Sequence, residues 1–205
     1  MAKQVKKTLQ ERTLALLNER FSKRVADVFF EQSYTQIISQ GTTSAINDFG
    51  YEKYEVKVTP WFDNYWFFIR IQFNVVKPMV LKPFTSVSFF QDTGEKIKQL
   101  FRAEWDCYDV KDGYNHPQPH WHFTAQLSDI TKLSDLENIE EENIYNQMLG
   151  NSKSINLDKM HFAMIGTWQM NGNIINSSMN DESVLVDWLV SLFSHVREEL
   201  VYKDE

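Results

Sequence analysis

Three imidazoles within seven residues, His116-Pro-Gln-Pro-His120-Trp-His122, are the densest set of chemically capable side chains in this chain. Histidine titrates near neutrality and is the commonest metal ligand, so such a cluster suits metal binding or acid–base chemistry. The alternation is unbroken from 116 to 127. His116, Gln118, His120, His122, Thr124 and Gln126 take the even positions; Pro117, Pro119, Trp121, Phe123, Ala125 and Leu127 take the odd ones. In an extended chain these sets face opposite sides. Pro117 and Pro119 hold the first part extended and cannot donate to a ladder, which places this end at a sheet edge. Residues two apart along a strand are roughly 7 Å apart, close enough for His120 and His122 to converge on one ion.

The segment before it alternates in the same way. Arg102, Glu104 and Asp106 share one face; Phe101, Ala103, Trp105 and Cys107 share the other. A short connection joins the two segments, so antiparallel pairing is the simplest arrangement, with the acidic and basic row beside the histidines. The site expected from this surface has His120 and His122 as metal ligands or as acid and base, and His116 or His161 completing the set. Glu104 or Asp106 would orient an imidazole, and Arg102 would hold a phosphate. The cofactor expected is a divalent metal, zinc or manganese. The plain alternative is a solvated strand face, which shows the same alternation. His161 lies in the apolar run Met160–Ile165, and His195 borders an apolar helical stripe. Cys107 falls with Trp105 on the apolar set and reads as a core thiol. No GxSxG elbow, phosphate-binding P-loop or GxGxxG fingerprint is present.

The elements that must position these residues follow from periodicity. Leu14, Leu17, Phe21, Val25 and Val28 recur at helical steps, and the spacing predicts a long helix from about Leu9 to Gln40, ended at Gly41. From Tyr51 the period becomes two. Tyr54, Val56 and Val58 form one strand, Asp63-Asn64 a turn, and Phe67, Ile69, Ile71, Phe73 and Val75 the dry face of the next. Pro78 and Pro83 punctuate a connection. Strands follow at Phe84–Gln91, Lys96–Cys107, His116–Leu127 and Met160–Met170. Residues 128–158 are acidic and polar and read as an insertion, lid or mobile loop. Asp181 or Ser183 caps a last helix striped by Val184, Leu185, Trp188, Leu189, Leu192, Val196 and Leu200. The expectation is one α+β domain over 1–205: a meandering antiparallel sheet of five to six strands with both terminal helices on one face.

Bulk properties narrow the class. The 205 residues are enough for a sizeable core, and 15 Phe, 8 Tyr and 6 Trp favour strands and bulky packing. A single cysteine excludes an intramolecular disulfide and a CxxC clip. No apolar run is long enough for a membrane span, and no apolar segment follows the charges of Met1-Ala-Lys-Gln-Val-Lys-Lys7, so a cytoplasmic protein without a signal peptide is expected. Net charge is −7, yet Lys3, Lys6, Lys7, Arg12, Arg20, Lys23 and Arg24 crowd the first 24 residues. Such an end suits a nucleic acid or an acidic partner; the blander reading is a solvated helix face.

Leu100-Phe-Arg-Ala-Glu-Trp-Asp106, followed by Pro119-His-Trp-His-Phe123, resembles the motif of TumE-like toxins of bacterial toxin–antitoxin loci. Those chains pair an aromatic-Arg-aromatic-Asp strand with a later Pro-His-x-His strand. The likeness covers about residues 100–123. It departs at Ala103-Glu104-Trp105 and lacks that family's Asp-Asn-x-Pro-His continuation. It implies a toxin-like or phage-defence effector, with Arg102, Asp106, His120 and His122 as the carried-over positions. The function expected is hydrolysis of a phosphodiester in RNA or DNA. Its rivals are a non-catalytic subunit of a larger defence complex, with Trp61, Trp66 and Trp121 as docking anchors, and a metal-binding protein without hydrolysis. An antitoxin or complex subunit is the protein partner these readings imply; a membrane is not expected.

Overall fold

The computed structural model describes residues 2–49, 52–77, 80–106, 119–123, 162–163 and 182–204. It is an α+β arrangement. Helix α1 (Ala2–Leu16) runs through a π turn (Leu17–Phe21) into a last turn, α2 (Ser22–Arg24). Nine strands follow: β1 (Phe29–Gln32), β2 (Gln36–Gln40), β3 (Thr43–Asp48), β4 (Lys53–Phe62), β5 (Tyr65–Lys77), β6 (Val80–Asp92), β7 (Ile97–Asp106), β8 (His120–Phe123) and β9 (Phe162–Ala163). Helix α3 (Glu182–Asp204) closes the described chain. Neither long helix is apolar enough to cross a membrane.

The sheet is antiparallel throughout, in the order β1-β2-β5-β6-β7-β8-β9. β2 and β4 share one edge of β5, β2 at Ile71 and β4 at Phe67. Beyond that contact β4 leaves the sheet and pairs along its length with β3. The departure depends on Gly41: a Cβ there would sit 2.0 Å from the Val58 carbonyl oxygen, so only a residue without a side chain fits the crossing.

Two cores result. Odd positions of β5, Phe67, Ile69, Ile71 and Phe73, pack with Val87, Phe89, Ala103 and Trp105 beneath Leu17, Phe21, Leu189, Leu192 and Phe193 of the helical layer. Phe193 is the hub, with ring centroids 4.9 Å from Phe21, 4.8 Å from Trp61 and 4.9 Å from Phe67. Both helices lie on this face, as their apolar stripes required. The other face of the sheet is mixed, carrying Phe68, Arg70, Glu104 and Arg102. The β3–β4 hairpin covers part of it through Ala45, Val56 and Val58, which pack on Phe68 and Phe90.

Several sequence expectations need correction. The first helix stops at Arg24 rather than Gln40, and residues 29–40 form the β1–β2 hairpin. The aromatic and β-branched pairs Phe29-Phe30 and Ile37-Ile38 prefer a pleated surface, and β5 supplies one through Ile37↔Ile71. Val25 and Val28 prolonged the helical period only because both pack against the same core from the exit turn. This hairpin and β3 raise the strand count above the expected five or six. β6 begins at Val80, so Pro83 lies inside a strand, at a position where β5 is its described neighbour. Trp61, Trp66 and Trp121 are partly buried, packed against the cores. The large apolar side chains that are exposed include Phe29 and Tyr202. Part of the basic N-terminal charge is bound internally: Arg12 pairs with Glu182, and Arg20 with Asp187, across to α3.

Candidate metal centre

β7 and β8 pair antiparallel with Arg102 opposite His122 and Glu104 opposite His120. The expected two-strand surface therefore exists. Side chains directly across an antiparallel pair share a face, so two carboxylate-bearing and guanidinium-bearing positions meet two imidazoles by register alone. The surface is not solvated. Arg102 is 4% exposed, Glu104 6%, His120 2% and His122 8%. This contradicts the plain reading of a wet strand face, and at Arg102 the reason is tertiary: the end of β3 lies against it.

The carboxylate of Glu104 is divided between two tasks. Its Oε1 accepts a hydrogen bond from Arg102 Nε at 2.7 Å. Its Oε2 lies 2.8 Å from His122 Nε2 and 3.4 Å from His120 Nε2. The two Nε2 atoms are themselves 2.9 Å apart. Burial alone would raise the Glu104 carboxyl. Hydrogen bonds with His120 and His122, then the charge of Arg102, outweigh burial and hold it well below the usual carboxylate range.

This triangle is a poor hydrogen-bond network and a good ligand set. A ring nitrogen carries either one proton or one lone pair. If His122 Nε2 bears the lone pair, it opposes the Glu104 oxygen at 2.8 Å. If it bears the proton, that proton cannot point well at both Glu104 and His120. A cation accepts all three lone pairs at once. Bonds of about 2.0–2.2 Å from one ion to imidazole and carboxylate place such ligands roughly 3 Å from each other, which this triangle matches. Glu104, His120 and His122 thus form a buried group that can hold a metal ion.

Arg102 holds Glu104 through Nε and is itself held by the end of β3. Its Nη1 donates to the backbone carbonyl of Asp48 at 2.5 Å, and its Cζ lies 4.2 Å from the centroid of the Phe49 ring. Gln99 fixes the same stretch of backbone by accepting from Asp48 N at 2.6 Å and donating to Asp48 O at 3.2 Å. The end of β3 is therefore clamped to β7 beside the centre. These groups hold the arginine against its carboxylate. The sequence reading gave Arg102 a phosphate to hold; its described contacts are with Glu104, the Asp48 carbonyl and the Phe49 ring.

Of the remaining sequence candidates, Asp106 ends β7 in register with Phe84 and is not one of the three converging groups. His195 belongs to α3, on the opposite face of the sheet. His116, His161 and Cys107 lie outside the described residues, as does the whole of the acidic stretch 128–158. Sequence reasoning missed Asp48, Phe49, Gln99 and Arg70. Asp48 and Phe49 are about fifty residues from the strands they clamp, and no local spacing announces them. No protein-family model matches the chain, and neither a curated protein nor a solved structure matches it.

Proposed function

We propose that this protein is a metal-dependent hydrolase of phosphodiester bonds, working as a toxin-like or phage-defence effector. The observation that carries the reading is the buried convergence of Glu104 Oε2, His120 Nε2 and His122 Nε2. Three protein ligands leave coordination positions for a substrate, which is the pattern of catalytic rather than structural metal sites. A bound divalent ion of the zinc or manganese type would supply Lewis acidity there. The chain's own residues do the rest. His120 and His122 present two neutral donors from one strand. Glu104 contributes the single negative charge through Oε2. Arg102 caps Oε1, so that the carboxylate binds through one oxygen and does not chelate.

RNA is the favoured substrate, on the resemblance of residues 100–123 to the strand motif of toxin chains. Protein purified without a histidine tag should carry close to one equivalent of divalent metal, or take it up on addition of zinc or manganese. Changing His120 and His122 together to Ala should abolish uptake and cleavage of a single-stranded RNA while circular dichroism and cooperative melting persist. Metal content near zero with no uptake would overturn the centre. Full metal loading without cleavage of RNA or DNA would overturn the hydrolase reading and leave a metal-binding protein.

A further inference from the structure

With Arg102 held against Glu104, a second guanidinium lies on the same face of the sheet. Strand register aligns Arg70 of β5, Ser86 of β6, Glu104 of β7 and His120 of β8 in one row across four strands. The next row on the same face holds Phe68, Ser88, Arg102 and His122. Arg70 and Glu104 are two strand spacings apart, about 10 Å at the backbone. On the strand between them Ser86 and Ser88 present short side chains on this face, and Phe84, one row further, packs its ring 6.0 Å from that of Phe49. Both guanidinium groups approach the Phe49 ring, Arg70 at 5.7 Å and Arg102 at 4.2 Å.

Most of the charges on this face are paired, and Arg70 is held by neutral groups. Glu104 answers Arg102. The Asp48 carboxylate is 2.8 Å from Lys53 Nζ. Arg70 has no carboxylate partner among the described residues. It donates from Nη1 to the Tyr54 hydroxyl at 3.2 Å and from Nη2 to Gln72 Oε1 at 2.7 Å, both neutral acceptors. Its Nε is buried with no acceptor, and so is the Ser88 hydroxyl in the neighbouring row. A half-buried guanidinium with a spare donor, held in place by neutral groups, is a preorganised anion site. A metal ion at Glu104, His120 and His122 would add to the positive charge and strengthen the demand for an anion.

We propose that Arg70 is a substrate-binding residue that recognises a phosphate group, with Tyr54 and Gln72 fixing its orientation. The proposal rests on the reading of Glu104, His120 and His122 as a metal centre and gives that centre a substrate class. A phosphate fits better than a carboxylate because its tetrahedral oxygens can engage a metal and a guanidinium together.

The test uses the full chain loaded with manganese, with metal content measured for every variant. Inorganic phosphate and a short single-stranded RNA are titrated calorimetrically against the wild type, R70Q and R70K. Loss of one charge-assisted hydrogen-bonding group should weaken both ligands at least about tenfold in R70Q, with an intermediate loss in R70K and unchanged metal content. As a check that does not depend on the variants folding, the Arg70 Nε–H resonance in isotope-labelled wild type loaded with diamagnetic zinc should shift on adding phosphate and not on adding acetate. Wild-type affinity for phosphate in a folded, metal-loaded R70Q would overturn the proposal while leaving the metal centre standing. An equal response of the resonance to acetate would overturn the phosphate assignment. Wild-type protein that takes up no metal would instead overturn the reading on which the proposal rests.

Discussion

Replacing Glu104 with Gln removes one charge and almost no volume, and it should weaken both the fold and the metal centre. In the metal-free protein the cost falls on Arg102, which is 4% exposed and loses its anionic partner. Breaking a buried ion pair by removing one member costs about 3–5 kcal/mol. The amide oxygen of Gln can still accept from Nε, which moderates the loss to about 2–4 kcal/mol. For a chain of this length that is roughly 5–12 °C in melting temperature. A metal ion held at this group would lose its one anionic ligand among the described residues. Changes in outer-shell partners alone cost roughly 10–100-fold in affinity, so this one should cost at least about 100-fold. Denaturant unfolding in the presence of a chelator reads the first effect, and competition against a chromophoric chelator reads the second. The pH dependence has a definite sign. The Glu104 carboxyl is depressed below its ordinary value of 4.5, so its contribution to stability is complete above that pH and declines as pH falls below it. The stability gap between wild type and E104Q should therefore be full at neutral pH and shrink in acid. An unchanged unfolding midpoint together with unchanged metal affinity would refute the argued role of this carboxylate.

Three further outcomes test the supports of the centre. R102M should leave the three ligands in place yet lower metal affinity by about 10–100-fold, because nothing then restrains Glu104 Oε1; chelator competition and the visible spectrum of the cobalt-substituted protein would show it. G41A should destabilise by about 1–3 kcal/mol or more in denaturant unfolding, since its Cβ would collide with the Val58 carbonyl at 2.0 Å where β4 leaves the sheet. F193A should cost about 3–5 kcal/mol in the same assay, because Phe193 is 1% exposed and touches four aromatic rings, while metal affinity in the folded fraction stays near wild type, as α3 lies on the other face.

Period-two alternation in residues 101–106 and 120–123, with the short connection between them, was enough to place Arg102, Glu104, His120 and His122 on one surface. Strand geometry allows few alternatives: once two neighbouring segments pair antiparallel, the face of every side chain is settled by parity. The apolar stripe of α3 was equally legible, because a helix that exposes Trp188, Leu189 and Leu192 on one side must bury that side. The β1–β2 hairpin was not legible. Its residues continue a helical period by coincidence, and the choice between helix and strand was made by β5, which offers a free edge at Ile71.

Burial of the site was decided only by tertiary structure. The same alternation describes a wet strand face and a dry one, and the difference lies in what covers it. Here β3 returns from about fifty residues earlier and clamps Asp48 to Gln99 and Arg102. That clamp shields Arg102 from water and, through it, the carboxylate it holds. It also fixes Arg102 on Glu104, so the phosphate role read from sequence passes, by our proposal, to Arg70. The histidine pair that first drew notice was visible in the chain. Its third ligand was visible only as one of two acidic neighbours, and register with His120 selected Glu104 over Asp106.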